Sequence, residues 1–195
     1  MENKKKSKKD LNTVENFNSI AAGILIGLGV IINVQTENHY IGALLFSFGL
    51  LTIIHLKLPL YTGRIGFLDG HLLLILFFNF IGIAYVCIAY IFCKPEFIQI
   101  IHNAAIQKFS KPYFQMFFGG IFCGMLIHFA VKCKISYITC MAVIIFILIG
   151  AEHCVADFPY LLSVFSIENC IKLAWVTVGN SLGAIFIEGL IQNEQ

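Results

Sequence analysis

The sequence predicts an all-α membrane protein with six transmembrane helices in two inverted three-helix repeats, in which the second and fifth helices are broken. Three observations predict this fold class: the composition, apolar runs of helix length, and motifs that recur in both halves. Of the 195 residues, 58% are hydrophobic and 12% are charged, whereas a soluble domain carries about 25% charged residues. An integral membrane protein therefore fits this composition best.

The N-terminal residues 1–16 form a polar tail that contains five lysines: Lys4, Lys5, Lys6, Lys8 and Lys9. The tail lacks the apolar segment and the small-residue cleavage site of a signal peptide. Basic residues before a first transmembrane helix are typical of the cytoplasmic side. We expect a cytoplasmic tail over residues 1–16 and a single transmembrane channel domain over residues 17–191.

The first half contains three apolar runs. The first span is predicted at Phe17–Asn33, the second at Tyr40–Leu56 and the third at Leu72–Cys93. Residues 57–66 combine a proline, two glycines and two cations, so the second span is predicted to break beside or within the membrane. Small residues give the first span a face for close helix contact: Ala21, Ala22, Gly23, Gly27 and Gly29.

The second half repeats this plan after a polar, partly amphipathic connection at Lys94–Pro112. The fourth span is predicted at Tyr113–Val131 and the last at Cys170–Ile191. Between them, Ile135–Ile149 is about 22 Å long as a helix, which is shorter than the roughly 30 Å hydrocarbon core. This run therefore ends inside the membrane, and Phe158–Asn169 returns the chain to the surface.

Ionisable residues follow directly where the fifth span breaks. Glu152, His153 and Asp157 lie in the octet 150–157. Such groups are unfavourable in a membrane unless they face a protein interior or a wet cavity, and they usually mark a transport or proton pathway.

The distribution of lysine and arginine predicts the orientation. With the N-terminus inside, nine cations lie inside and four outside, which favours both termini in the cytoplasm. The inside set is the five tail lysines with Lys57, Arg64, Lys132 and Lys134, and the outside set is Lys94, Lys108, Lys111 and Lys172.

The seven cysteines predict neither a disulfide framework nor a metal site. Four of them, Cys87, Cys123, Cys140 and Cys154, lie in apolar runs, where cysteine behaves as a small hydrophobic residue. No C-x-x-C pair is present and the spacing does not match zinc patterns. We expect no metal and no other cofactor.

The halves over residues 17–93 and 113–191 share two motifs. The glycine pair at 23 and 27 is matched with the pair at 120 and 124, and the N-x-x-G motif at 79–82 with that at 180–183. With three spans in each half, the repeats are inverted, an arrangement that places substrate sites at discontinuous helices near the midplane. The alternative is chance recurrence in glycine-rich spans.

Several of these residues carry a family resemblance. Residues 150–157 (Gly-Ala-Glu-His-Cys-Val-Ala-Asp) and 175–183 resemble the G-x-E-H-x-x-A-N and T-x-G-N-x-x-G signatures of the formate/nitrite transporter family. Residues 60–63 resemble its L-F-T-G loop, and residues 105–124 resemble its lysine-bearing segment and fourth span. The resemblance covers roughly residues 17–190.

The resemblance implies a homopentamer of six-span protomers with an aquaporin-like fold and one pore in each protomer for small monovalent anions or their conjugate acids. It implies that His153 is the central histidine and that Thr62 faces it from the second break. It further implies that Glu152 is the neighbour of the histidine, Lys108 the vestibule lysine and Tyr61 the aromatic residue at the constriction. Asn180 belongs to the second signature.

The sequence departs from the family pattern at several positions. Asp157 and Gly124 stand where the family has asparagine, and Gly119 stands where it has arginine. Pro59 replaces an acidic residue, and Arg64 replaces a residue that is commonly asparagine. Lys57, next to the second break, either restores the positive potential lost at residue 119 or extends to the membrane interface. We include Lys57, Asp157, Asn180 and Gly124 among the candidate pore residues.

A histidine suits such a pore. A bare anion loses much solvation energy in a dry constriction, whereas burial raises the pKa of a weak acid and favours its neutral form. His153 is the natural proton donor or relay because an imidazole titrates near neutral pH, and Thr62 is placed to bond the substrate.

Each of these residues also has a purely structural interpretation. His153 could be a core histidine bonded to a backbone carbonyl, Tyr61 could serve packing alone, and Lys108 could be a solvated loop lysine. His128 and His55 are interpreted as packing or hydrogen-bonding residues.

Two further functions stay open at this stage. Asp157 and the missing arginine suggest a pore for a neutral or cationic solute such as ammonia or ammonium. A non-conducting membrane scaffold or sensor is the other alternative. We expect no enzymatic activity, because no nucleotide loop, zinc set or serine–histidine–acid group is present, and the scattered cations do not favour nucleic-acid binding. The predicted location is the plasma or inner membrane.

Overall fold

The computed structural model describes residues 8–191, with side chains from residue 13 onwards, and within this range the chain is helical without strands. Lys4, Lys5 and Lys6 of the predicted tail lie outside the described residues. The elements are α1 (Lys8–Gln35), α2 (His39–Leu56), α3 (Tyr61–Arg64), a 3-10 turn (Ile65–Phe67), α4 (Leu72–Cys93), α5 (Phe97–Phe109), α6 (Tyr113–Cys133), α7 (Ser136–Leu148), α8 (Phe158–Ser163) and α9 (Ile167–Leu190).

Five described helices are long and apolar enough to cross a membrane: α1 from Thr13, α2, α4, α6 and α9. The shorter α7 has 13 residues and is separated from α8 by a non-helical segment around residues 149–157. Two differences from the predictions are large: α1 begins at Lys8, within the predicted tail, and α5 fills most of the predicted connection. Smaller differences of up to three residues include the start of α9 at Ile167.

Local chemistry explains where the second span breaks. Lys57 ends α2 in a left-handed conformation, with φ 54°, and its N–H bonds the carbonyls of Ile53 and Ile54. Pro59 follows and lacks the N–H that a continuing helix requires. Lys134 ends α6 in the same way, with φ 55°, so both lysines lie at helix C-termini, where a cation complements the helix dipole.

Helix pairs α1–α4 and α6–α9 pack through glycines in the same pattern. A side chain on Gly23 would overlap the carbonyl oxygen of Asn79, and one on Gly124 would overlap that of Asn180. Gly82 lies against Ile20, and Gly183 lies against Ile121, in the same way. Backbones that approach this closely tolerate only glycine.

These contacts correct one detail of the predicted repeat. The N-x-x-G motifs at 79–82 and 180–183 occupy equivalent places, as the sequence indicated. However, Gly23 is equivalent to Gly124, because both face an asparagine carbonyl, so the matching of Gly23 with Gly120 was wrong by one helical turn. A four-residue glycine spacing recurs along one helix face, which makes adjacent registers look alike in sequence.

The start of α1, the end of α9 and the second break lie at one end of the molecule. Glu15 of α1 lies beside Gly70, and Lys132 Nζ donates to the carbonyl of Ile191 at 3.2 Å. The assignment of this end to the cytoplasm stays a prediction.

Candidate functional site

An asparagine on α4 holds the second break. Asn79 is fully buried, its Oδ1 accepts the N–H of Tyr61 at 2.9 Å, and its Nδ2 donates to the carbonyls of Ser19 and Pro59 at 2.8 and 3.0 Å. Backbone groups that leave a helix in a low-dielectric interior need partners. Asn79 supplies these partners for the break and ties it to α1.

Asn180 on α9 does the same for the fifth break. It is also fully buried, its Oδ1 accepts the N–H of Cys154 at 2.9 Å, and its Nδ2 donates to the carbonyls of Gly120 and Glu152 at 2.8 Å each. The two breaks are therefore held by equivalent side chains of the two halves.

The two breaks meet through a buried polar pair. Thr62 Oγ1 lies 2.9 Å from His153 Nε2, and the two residues are only 1% and 3% exposed. The N–H of Ala156 donates to His153 Nδ1 at 3.1 Å, so in the neutral ring the proton is on Nε2 and is donated to Thr62. The ring of Phe146 stacks on the imidazole at 6.1 Å between centroids.

A cavity of about 420 Å³ reaches His153 from the end of the molecule that carries the α1–α2 connection. We call it the Lys108 cavity. Its wall combines aromatic rings with Lys108, Lys111 and Asp157; it is lined by Val30, Asn33, Val34, Thr36, His39, Phe46, Ala104, Gln107, Lys108, Lys111, Phe146, Ile147, Gly150, Ala151, His153, Ala156, Asp157 and Tyr160.

Two lysines and two carboxylates form a charge-balanced cluster at this cavity. Lys108 Nζ lies 2.5 Å from Glu152 Oε2 and 2.9 Å from Asp157 Oδ1. Lys111 Nζ lies 2.5 Å from Glu152 Oε1. Burial disfavours the ammonium of Lys108, but Asp157 and Glu152 outweigh this effect and raise its pKa above the usual value.

A second cavity of about 250 Å³ lies at the other end, beside the second break. We call it the Lys57 cavity. Arg64 pairs with Asp69 there, whereas Lys57 and Lys134 have no ion-pair partner among the described residues. The lining residues are Leu50, Ile53, Ile54, Lys57, Leu58, Leu60, Gly63, Arg64, Phe67, Asp69, Val131 and Lys134.

Five predicted pore residues are not among the residues that line these two cavities: Thr62, Tyr61, Glu152, Asn180 and Gly124. Thr62 bonds His153, and Glu152 belongs to the charged cluster. The hydroxyl of Tyr61 lies 2.9 Å from Ser181 Oγ, so this side chain is directed towards α9. Asn180 holds the fifth break, and Gly124 allows α6 to contact α9. Gly119 has a comparable steric role, because a side chain there would press on Glu152.

The sequence interpretation missed several residues. It gave no site role to Lys111, although this residue lies three positions after Lys108 and bonds the same glutamate. It also missed Tyr160, whose ring lies 5.1 Å from Lys108 Nζ.

The two histidines outside the site make hydrogen bonds. His128 forms an interhelical pair with Glu188 at 2.7 Å, and His55 Nδ1 lies 2.9 Å from the carbonyl of Leu51. Within residues 8–191, no group of three or more histidine, cysteine, aspartate or glutamate residues is placed to hold a metal.

Comparisons with known proteins agree on one family. The family model described as formate/nitrite transporter matches residues 1–193. A solved structure described as a pentameric formate channel with formate bound superposes with a TM-score of 0.80 at 18% identity, over 94% of this chain and 97% of that one. An ion channel of the same family gives 0.79 at 21% identity, over 93% and 90%. Among curated protein sequences, no match is found.

Proposed function

The chain belongs to the formate/nitrite transporter family, and from this membership we propose that it is a channel or transporter for small monovalent anions or their conjugate acids. Formate, nitrite and hydrosulfide are the candidate substrates. The observation that carries the proposal is the buried His153–Thr62 pair, which lies between the Lys108 cavity and the Lys57 cavity. One similar structure is a pentameric formate channel, and we extend a homopentameric assembly to this chain.

The two cavities supply the entrances of the proposed pore. The ammonium groups of Lys57 and Lys134, which have no ion-pair partner among the described residues, raise the local concentration of anions at one entrance. At the other entrance, Lys108 is shared by two carboxylates, and Glu152 is fixed by both Lys108 and Lys111. We propose that this entrance positions the substrate by hydrogen bonds more than by net charge.

We propose that His153 acts as the proton donor or relay at the constriction. Its Nε2 proton points at Thr62, so a substrate oxygen that displaces Thr62 receives the same hydrogen bond. Formation of the imidazolium requires that Nδ1 give up its bond from Ala156. The relay therefore includes a small movement of the break, and Asn180 returns the backbone to its place.

A second candidate, a pore for ammonia or ammonium, is favoured by one observation. The cluster at the Lys108 cavity has no excess of positive charge, and Asp157 Oδ2 offers a hydrogen-bond acceptor without a partner among the described residues. An ammonium ion would satisfy this acceptor, whereas an anion would not.

Flux measurements in phosphatidylcholine liposomes test both functions. Formate, nitrite and ammonium gradients are applied to the unmodified protein and to His153→Asn, which can bond Thr62 but cannot carry a proton. We expect formate uptake in the unmodified protein and a loss of roughly a hundredfold in the variant, the usual size of a proton-transfer contribution. Glu37→Gln, an exposed acid outside both cavities, serves as the control.

Three results would contradict the proposal in different ways. Formate uptake that is unchanged in His153→Asn would exclude the relay and leave the channel. Ammonium flux without formate or nitrite flux would favour the second candidate, and no flux of any solute would favour a scaffold.

For the location, we propose the plasma or inner membrane with both termini in the cytoplasm. External protease added to intact cells tests this, because a cytoplasmic tail is expected to be protected from cleavage.

A further inference from the structure

One carboxylate oxygen in the wall of the Lys108 cavity has no partner. Asp157 is 2% exposed and its Oδ1 is paired with Lys108 at 2.9 Å, but its Oδ2 makes no hydrogen bond within the described residues. A buried polar atom without a partner is costly and rare. Asp157 lines the cavity and lies beside the carboxylate of Glu152, so a proton on Oδ2 would supply the donor that this buried oxygen lacks.

The position of this oxygen is fixed from both sides. The backbone N–H of Asp157 donates to the carbonyl of His153 at 2.8 Å, which places the residue at the start of α8. Lys108 holds the other oxygen, so the carboxyl group cannot turn Oδ2 towards the ammonium without losing that bond. Asp157 and His153 both line the Lys108 cavity.

The charges of the cluster decide what Oδ2 can do for an anion. Both lysines of the cluster are already engaged by carboxylates, so neither of them is free to neutralise an arriving anion. A proton on Oδ2 gives the cluster one net positive charge and turns Oδ2 into a donor. Transfer of this proton leaves a neutral acid and returns Asp157 to the carboxylate that Lys108 stabilises.

We propose that Asp157, rather than His153, donates the first proton to a weak-acid anion in the Lys108 cavity, and that His153 then acts as the relay for the neutral acid at the constriction. The Oδ2–H bond of Asp157 breaks, an O–H bond forms on the anion, and the negative charge moves to the Asp157 carboxylate. A proton from the external solution, carried by water at the cavity entrance, then restores the Oδ2–H bond. This inference rests on the proposed function, and it explains why an acid stands where the family resemblance places an asparagine, whose amide cannot release a proton.

Titratable groups face Asp157 from each of the elements packed around it. They are Lys108 from α5, Glu152 and Cys154 from the break, Tyr160 from α8 and Cys123 from α6. Among the described residues, Lys108 is the cation in direct contact with the carboxylate, so its ammonium stabilises the charge left behind, whereas the nearby Glu152 opposes it.

The test compares the unmodified protein with Asp157→Asn, which is nearly identical in shape and keeps an acceptor for Lys108. Formate-loaded buffer is added to phosphatidylcholine liposomes at external pH values from about 6 to 8, and internal acidification is followed with a trapped dye. Without a donor, uptake follows the concentration of formic acid in the bulk, which rises about tenfold for each pH unit of acidification. We expect this slope in Asp157→Asn, a shallower slope in the unmodified protein, and at least about tenfold slower uptake by the variant at pH 7.

Matched measurements separate proton donation from a structural role. Glu37→Gln is expected to keep the shallow slope, and His153→Asn is expected to lower uptake at every pH without imposing the tenfold slope. Equal rates and equal pH slopes for Asp157→Asn and the unmodified protein would overturn the inference and leave the channel. Slower uptake with an unchanged slope would also overturn it, since it would show a purely structural effect. Absence of formate uptake in the unmodified protein would overturn the proposed function, and the inference with it.

Discussion

Replacement of Asn180 by alanine removes three buried hydrogen bonds and tests how the fifth break is held. The N–H of Cys154 and the carbonyls of Gly120 and Glu152 lose their side-chain partner. A buried polar group without a partner costs about 1–3 kcal/mol, so we expect a loss of roughly 4 kcal/mol in the free energy of unfolding. For a chain of this size, each kcal/mol lowers Tm by about 2–4 °C.

The assay is thermal unfolding of the purified protein in detergent, with oligomer integrity followed in parallel. We expect Tm to fall by about 10 °C in Asn180→Ala and by a similar amount in Asn79→Ala, because the two asparagines make equivalent bonds. Asn103→Ala is the control, since the side chain of Asn103 makes an exposed bond to Gln99 on the same helix. A fall in Tm of less than about 2 °C in Asn180→Ala, close to the control, would refute the assignment of this residue as the support of the break.

Two further changes probe helix contact and charge. Gly124→Ala places a methyl group against the backbone of Asn180, so we expect a clear fall in Tm. Gly189→Ala places its methyl group in open space and is expected to leave Tm unchanged. Equal Tm values for the two variants would contradict this role of Gly124. Joint replacement of Lys57 and Lys134 by asparagine, which tolerates their left-handed conformation, is expected to raise the half-saturating formate concentration at that entrance roughly tenfold at low salt and less at 0.15 M salt. Arginine at both positions is the control, and a half-saturating concentration independent of these charges would exclude an anion-concentrating role.

Much of the helical plan follows from local properties of the chain. The bounds of α4 agree with the third predicted run, and α2 and α7 agree with their runs to within one residue. Apolar runs identify such helices because burial in a bilayer requires a length and a hydrophobicity that are visible in sequence. The early start of α1 was not predicted, because its first turns are polar and the apolar pattern begins later.

The candidate site was partly visible in the sequence. The resemblance of residues 150–157 to the G-x-E-H-x-x-A-N signature drew attention to His153, and that of residues 60–63 to the L-F-T-G loop drew attention to Thr62. The structure places their side chains 2.9 Å apart. The same reasoning did not foresee that Tyr61 would bond Ser181. The direction of a side chain at a break depends on which neighbouring helix passes it, and no pattern of apolar residues encodes this.

The sequence by itself determined that the chain is a helical membrane protein with ionisable residues at an interrupted span, because composition and run length set the choice between water and lipid. Only the tertiary structure decided how those groups are satisfied. Asn79 and Asn180 support the breaks, and Lys111 completes the cluster on Glu152. Hydrogen bonds and ion pairs act over a few ångströms, and residues far apart in the chain come that close only after the helices pack.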